Sequence, residues 1–106
     1  MSVGNNIILI GRLGADPEMA VVGDGKVKAS FSIAVDRPYK KGEADFFNIS
    51  AWGKTAELCG DFLTKGKQIA LEGYLQIRKF DKKDGTAGYY TEVVAEDIKF
   101  LGKKDD

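Results

Sequence analysis

"DFFNISAWGKTAELCGDFL", residues 45–63, decides the fold because its hydrophobic period changes halfway along. From Asp45 to Lys54 the reading is a strand, in which side chains alternate between two faces. Phe47, Ile49 and Ala51 form an ordinary core face. Phe46, Asn48, Ser50 and Trp52 point the other way, so two large aromatics stand on an otherwise polar face. Beyond Lys54 the period becomes helical, with Thr55, Leu58, Cys59, Phe62 and Leu63 on one stripe and Glu57, Gly60 and Asp61 off it. The helix is expected to end at Gly66, a residue suited to a C-terminal cap.

Working outward, apolar alternation recurs in segments divided by Gly- and Asp-rich breaks. "NIILIGRL", Asn6 to Leu13, is the expected first strand, followed by turn chemistry in "GADPE" and "GDGK". Lys26 to Arg37 is a half-buried second strand, with Val27, Ala29, Phe31, Ile33 and Val35 inward and Lys28, Ser30, Ser32 and Asp36 outward. "PYKKGEA" is a loop or hairpin tip, and the quoted stretch opens with the third strand. Gln68 to Phe80 resumes period two, placing Ile69, Leu71, Leu75 and Ile77 inward and Glu72, Tyr74, Gln76, Arg78 and Phe80 outward. An Asp84-Gly85 turn in "DKKDGTAG" leads to a last strand from Tyr89 to Leu101. Three strands, a helix and two strands make an all-β chain whose order is that of the five-stranded Greek-key barrel called the OB-fold, with one helix between strands 3 and 4. Residues 1–102 form this domain, and 103–106 are a short polar end.

Composition bounds the chemistry. The 106 residues are 43% hydrophobic and 30% charged, with sixteen basic and sixteen acidic side chains, as in one globular domain. Zero net charge means that any nucleic-acid partner is bound by segregated charge. The acids Glu57, Asp61, Glu92, Glu96 and Asp97 fall on the helix or last strand, apart from the basic loops. Histidine is absent and Cys59 is the single cysteine, which removes histidine triads, intrachain disulfides and a thiolate metal cage. Cys59, among Leu58, Phe62 and Leu63, reads as a small buried hydrophobe rather than a nucleophile. "GKT" at 53–55 resembles the tail of a phosphate-binding loop, but Asn48 occupies the position where that motif needs glycine. No enzyme, metal or cofactor is expected. The start, "MSVGNNIILIGRLG", has neither the basic nor the long apolar part of a leader, and no run is long enough to span a membrane, so the chain reads as soluble and cytoplasmic.

The aromatics carry the positive reading. Phe46 and Trp52 share one face, Tyr74 and Phe80 share the polar face of a later strand, and Tyr39 lies in "DRPYKK". Every nucleobase has a π-face, so such platforms hold single strands with little regard to sequence, while duplexes hide those faces. Arg37, Lys40 and Lys41 flank Tyr39, Lys54 follows Trp52, and Arg78, Lys79, Lys82 and Lys83 bracket Phe80, a pattern suited to tracking phosphates. Subunit contacts also account for aromatics on a sheet, and packing or an interface is the favoured account of Tyr74. An oligomeric interaction module whose aromatics bind protein is the alternative function.

"NNIILIGRLGADPE", "FSIAVDR", "FFNISAWGKTAE", "LTKGKQIALEGYLQIRKF" and "YYTEVVAEDIKFL" resemble the bacterial single-stranded DNA-binding proteins, from about Asn5 to Leu101. The resemblance implies an OB-fold protomer, usually of a homotetramer, that coats single-stranded DNA in replication, recombination and repair, at the nucleoid. By local motif its stacking residues fall on Tyr39, Phe46, Trp52 and Phe80, the family often having Trp at the first, second and fourth. It also implies that the first strand pairs with its mate across a dimer, which accounts for the apolar run from Ile7 to Leu13, and leaves Arg12 facing solvent or the DNA groove. Family members usually continue into a long tail with an acidic tip that recruits replication partners. This sequence stops at "GKKDD", as in a short or tail-truncated form, so recruitment through such a tip is not expected.

Overall fold

Alternating residues become strands where one face finds a core, and the computed structural model, which describes residues 4–101, contains six strands, five of which have such a face. The elements are β1 (Ile7–Leu13), β2 (Glu18–Val22), β3 (Lys26–Asp36), β4 (Ala44–Trp52), α1 (Gly53–Phe62), β5 (Gln68–Asp81) and β6 (Ala87–Phe100). Neighbours run β1-β5-β6-β4-β3, and β1 pairs again with β3 through Arg12↔Ala34 and Leu13↔Ile33, closing a ring of five strands. All pairings are antiparallel except β4 with β6, which meet as Ile49↔Val93 and Ser50↔Val94. The five strands of the ring, with α1 between β4 and β5, are the arrangement expected of an OB-fold. The expected polar end at 103–106 lies outside the described residues.

The sixth strand corrects the sequence reading. Glu18–Val22, placed between two turns, forms a hairpin with β3, in register from Glu18↔Ser30 to Val22↔Lys26. Its five residues are all exposed, so it has no buried face to announce it. β2 and β1 divide the same edge of β3, β2 taking the first half and β1 the second.

The core joins Leu9, Leu13, Phe31, Ile33, Ile49, Ile69, Leu71 and Val93 from the ring with Ala56 and Cys59 from the helix and Leu63 just after it. The helical stripe is therefore shifted from the one expected, since Ala56 is buried while Leu58 and Phe62 are exposed. Phe62 packs instead against Phe100, ring centroids 5.8 Å apart. The helix also ends earlier than Gly66. Leu63 caps it with a backbone N–H to the Cys59 carbonyl, and the Gly66 N–H donates to the Leu13 carbonyl, at 2.9 Å.

A second correction concerns β5. Ile69 and Leu71 point inward as expected, but Leu75 is exposed and Ile77 is 66% exposed. The alternation holds, yet β5 and β6 continue past the ring as a two-stranded arm, paired from Gln76↔Glu92 to Asp81↔Ala87, where there is no core to enter. A register shift at Glu72/Gly73 bends the pair where it leaves the ring. A Cβ at Gly73 would collide with the Val94 carbonyl oxygen, so the close approach at this bend needs glycine. At the tip, Asp84 Oδ1 accepts from the Thr86 hydroxyl at 2.7 Å and from its backbone N–H at 3.0 Å, and Gly85 takes a φ of 90°. Those two hydrogen bonds, the hydroxyl's first, hold the Asp84 carboxyl below its ordinary pKa.

Candidate functional site

The outward face of β3 and β4 is set by their register. The pairs Lys28↔Trp52, Ser30↔Ser50, Ser32↔Asn48 and Ala34↔Phe46 lie in a row on it. An aromatic at each end, separated by six residues or about 20 Å of strand, brackets a floor of small polar side chains. Phe46 is 69% exposed. Trp52 is half-buried and has the Lys28 ammonium 5.3 Å from its ring centroid, an electrostatic contact with the ring face. Arg12 on β1 pairs with Ala34 on the edge of β3 opposite Phe46, giving the cross-strand order Phe46–Ala34–Arg12, and its guanidinium donates to the Gly66 carbonyl at 3.0 Å.

Two projections flank this face. The β3–β4 loop is tied at its base by Arg37, which contacts Asp45 Oδ1 at 2.8 Å and Glu43 Oε1 at 3.4 Å. The hydrogen bond to Asp45, and then its charge, push the Arg37 pKa still higher. Arg37 thus shapes the hairpin that carries Tyr39, which is 96% exposed, and Lys40 and Lys41 near its tip. The β5–β6 arm supplies the second projection. Arg78↔Tyr90 and Phe80↔Gly88 are cross-strand pairs, so Arg78, Phe80, Tyr90 and Glu92 share a face. A Cβ on Gly88 would strike the Phe80 ring and the end of the Lys82 stem. The missing side chain lets Phe80 lie on the β6 backbone with Lys82 beside it.

Between the sheet and the arm runs a groove of about 380 Å³, lined by Lys28, Ser30, Ser32, Asn48 and Ser50 on one side, by Arg78, Tyr90 and Glu92 on the other, and by the carboxylates of Asp16 and Glu18 at and just before the start of β2. Here the separation of acids from the basic surface fails. Glu92, grouped with remote acids in the sequence reading, is 4% exposed, and its Oε1 accepts from Arg78 Nε at 2.8 Å. Ser50, expected outward, is 2% exposed. Both residues line the groove.

A sequence model described as the single-strand binding protein family matches residues 4–101. The chain belongs to that family. Single-stranded DNA-binding proteins 3 and 2 of Clostridium acetobutylicum are each 48% identical to it over 101 residues, covering 92% of this chain and 70% and 76% of the relatives. The single-stranded DNA-binding protein of Clostridium tetani is 46% identical over the same length, again with 92% of this chain and 70% of the relative covered.

As a member of the family, the chain carries its sequence-derived candidates in three places. Phe46 and Trp52 lie on β4, with Arg12 on β1 and Lys54 in the first turn of α1, Tyr39 with Arg37, Lys40 and Lys41 on one hairpin, and Phe80 with Arg78, Lys79, Lys82 and Lys83 on the arm. Lys79 pairs with Tyr89 and so alternates away from Phe80. Of the groove's lining, only Arg78 was among the sequence-derived candidates. Lys28 is marked only by its register with Trp52, and Tyr90 and Glu92 only by counting back across the Asp84-Gly85 turn. Among the described residues, no group of His, Cys, Asp or Glu could hold a metal ion, and no helix is long and apolar enough to cross a membrane.

Proposed function

We propose that this protein binds single-stranded DNA with little sequence preference, as a binding protein without catalysis. The observation that carries the reading is the row from Phe46 to Trp52, two aromatics on the outward face of a sheet otherwise lined by Ser and Asn. Membership of the single-strand binding family and the names of its relatives support it. Bases stack on Tyr39, Phe46, Trp52 and Phe80, each stack contributing about 1 to 3 kcal/mol. Lys40, Lys41, Lys54, Lys79, Lys82 and Lys83 take part in none of the ion pairs among the described residues, and their charges are free for phosphates. Arg12, Arg37 and Arg78 are already held by protein acceptors, so their remaining N–H groups meet the strand from fixed positions. The cellular setting that fits such binding is replication, recombination and repair.

The proposal includes self-association through β1, up to a homotetramer. Ile8 and Ile10 are exposed on its outer face, and only Arg12 and Leu13 use its second edge. Pairing of that edge with a second copy covers both features.

Trp52, the only tryptophan, reports on the site directly. Titration with an oligothymidine strand should quench its fluorescence, with weaker quenching at high salt, whereas a duplex of equal length should leave it unchanged. No response to either, together with no binding in a fluorescence-independent assay, would make the aromatic face a protein interface and overturn the reading.

A further inference from the structure

Lys28 and Trp52 are cross-strand partners on β3 and β4, yet they line different cavities. Lys28 borders the groove between the sheet and the arm, and Trp52 does not. Trp52 borders a second cavity of about 590 Å³, together with Gly25, Lys26, Val27, Gly53 and Glu57, which Lys28 does not line. The Lys28 ammonium, 5.3 Å from the centroid of the Trp52 ring, therefore stands at the divide. One side of the indole carries that cation, and the ring's free surface opens over the β2–β3 turn and the start of α1.

Charge differs on the two sides of the divide. Asp16, Glu18 and Glu92 line the groove against Lys28 and Arg78, and Arg78 is already paired with Glu92. A phosphate entering there meets an excess of carboxylate. At the Trp52 end the balance is reversed, with Lys26, Lys28 and Lys54 against Asp24 in the turn and Glu57. Lys26 and Lys28 point outward from alternate positions of β3, since Val27 between them packs on the core. Neither takes part in an ion pair among the described residues. Two residues of strand set them about 7 Å apart, near the spacing of successive phosphates in an extended nucleic-acid chain.

We propose that Lys26 and Lys28 are strand-binding residues that hold two successive phosphates beside the β2–β3 hairpin. They lead a base onto the free surface of Trp52 in the second cavity and keep the backbone off the acid-lined groove floor. The inference rests on the single-strand reading above and adds a path to it. An ammonium has three N–H donors and no acceptor, so Lys28 can face the indole, an electrostatic contact with the ring, and still donate to a phosphate oxygen. The same contact fixes where the ring stands, and leaves its other side for the base.

The test measures affinity for an oligothymidine strand across a series of salt concentrations. Each phosphate contact to a single strand contributes about 0.7 to the slope of log affinity against log salt. Lys26→Met and Lys28→Met keep an unbranched stem and lose the charge, so each should lower the slope by about 0.7. Taking roughly 1 M salt as the point where the charge contributes nothing, that is about fivefold weaker binding at about 0.1 M. Lys26→Arg and Lys28→Arg keep the charge and should retain the slope, a result that loss of packing does not imitate. An unchanged slope in either methionine variant would overturn the proposal while leaving single-strand binding intact. Tighter binding by Lys28→Met would also overturn it, because the ammonium would then be covering the ring face that a base needs. Failure of the unmodified protein to bind the strand would overturn both readings together.

Discussion

At the residue scale, Trp52 and Cys59 show how neighbours decide what a side chain does. Trp52 stands where β4 becomes α1, half-buried under Lys28 rather than packed into the core. Its removal should therefore cost binding more than folding. Trp52→Ala is expected to weaken single-strand binding by about 1 to 3 kcal/mol with an unchanged urea midpoint. Retained affinity with altered oligomer size would instead place it in a subunit contact. Cys59 is the opposite case, 1% exposed between helix and sheet, where burial pushes its thiol pKa up from 9.0 to about 11. Above pH 9 the unfolded thiol loses its proton while the folded one keeps it, so the unfolded state is favoured as pH rises toward 11. Stability of the native protein should fall across that window by an increment that Cys59→Ala lacks, as read from urea midpoints below pH 9 and near pH 11. The native thiol should also resist alkylation until the chain is unfolded.

At the element scale, the pattern of the sequence was legible wherever an element has one buried face. β1, β3, β4 and the inner half of β5 alternate because one side meets the core, and α1 declares itself by breaking that period. β2 was not legible, since its stability comes from backbone pairing with β3 and none of its residues is buried. The arm was half legible. Its alternation and its Asp84-Gly85 turn were visible, but Leu75 and Ile77 looked like core because hydrophobicity alone does not say where a ring ends and an arm begins. The stacking candidates followed from aromatics on a polar face, whereas Glu92 and Ser50 became site residues only through register between non-consecutive strands. The arm itself is testable. Lys82 lies beside Phe80 over Gly88, so Lys82→Ala should lower the slope of log affinity against log salt by up to about one unit. Lys79 alternates to the other face, and Lys79→Ala should lower the slope equally only if the strand wraps the arm. Unchanged slopes in both would show that the arm's lysines are merely solvated.

At the scale of the whole molecule, placement reconciles zero net charge with the proposed DNA-binding face only in part, because Asp16, Glu18 and Glu92 line the groove itself. Lysines cluster on two projections, while Glu72 and Asp97 lie directly opposite each other on β5 and β6, on the outer face that includes Ile8. That face is apolar and of mixed charge, with Lys99 in the row Ile10–Ala70–Lys99 beside the two carboxylates, and in the proposed assembly it meets a second copy of the chain. Two β1 strands meeting edge to edge about a twofold axis would cover Ile8 and Ile10 of both protomers and leave the Phe46–Trp52 face open. Ile8→Asp sets a third carboxylate beside Glu72, its cross-strand partner, adding like-charge repulsion to the lost apolar contact. The variant should sediment as a smaller species than the native assembly while keeping its far-ultraviolet circular dichroism, because Ile8 is outside the core. Its affinity for a strand short enough to fit one protomer should be unchanged, and its affinity for a long strand should fall, since linked sites lose their effective concentration when the assembly is broken. A native protein that already sediments at the mass of one protomer would refute association through β1, and the apolar strip on that strand would then belong to some other contact.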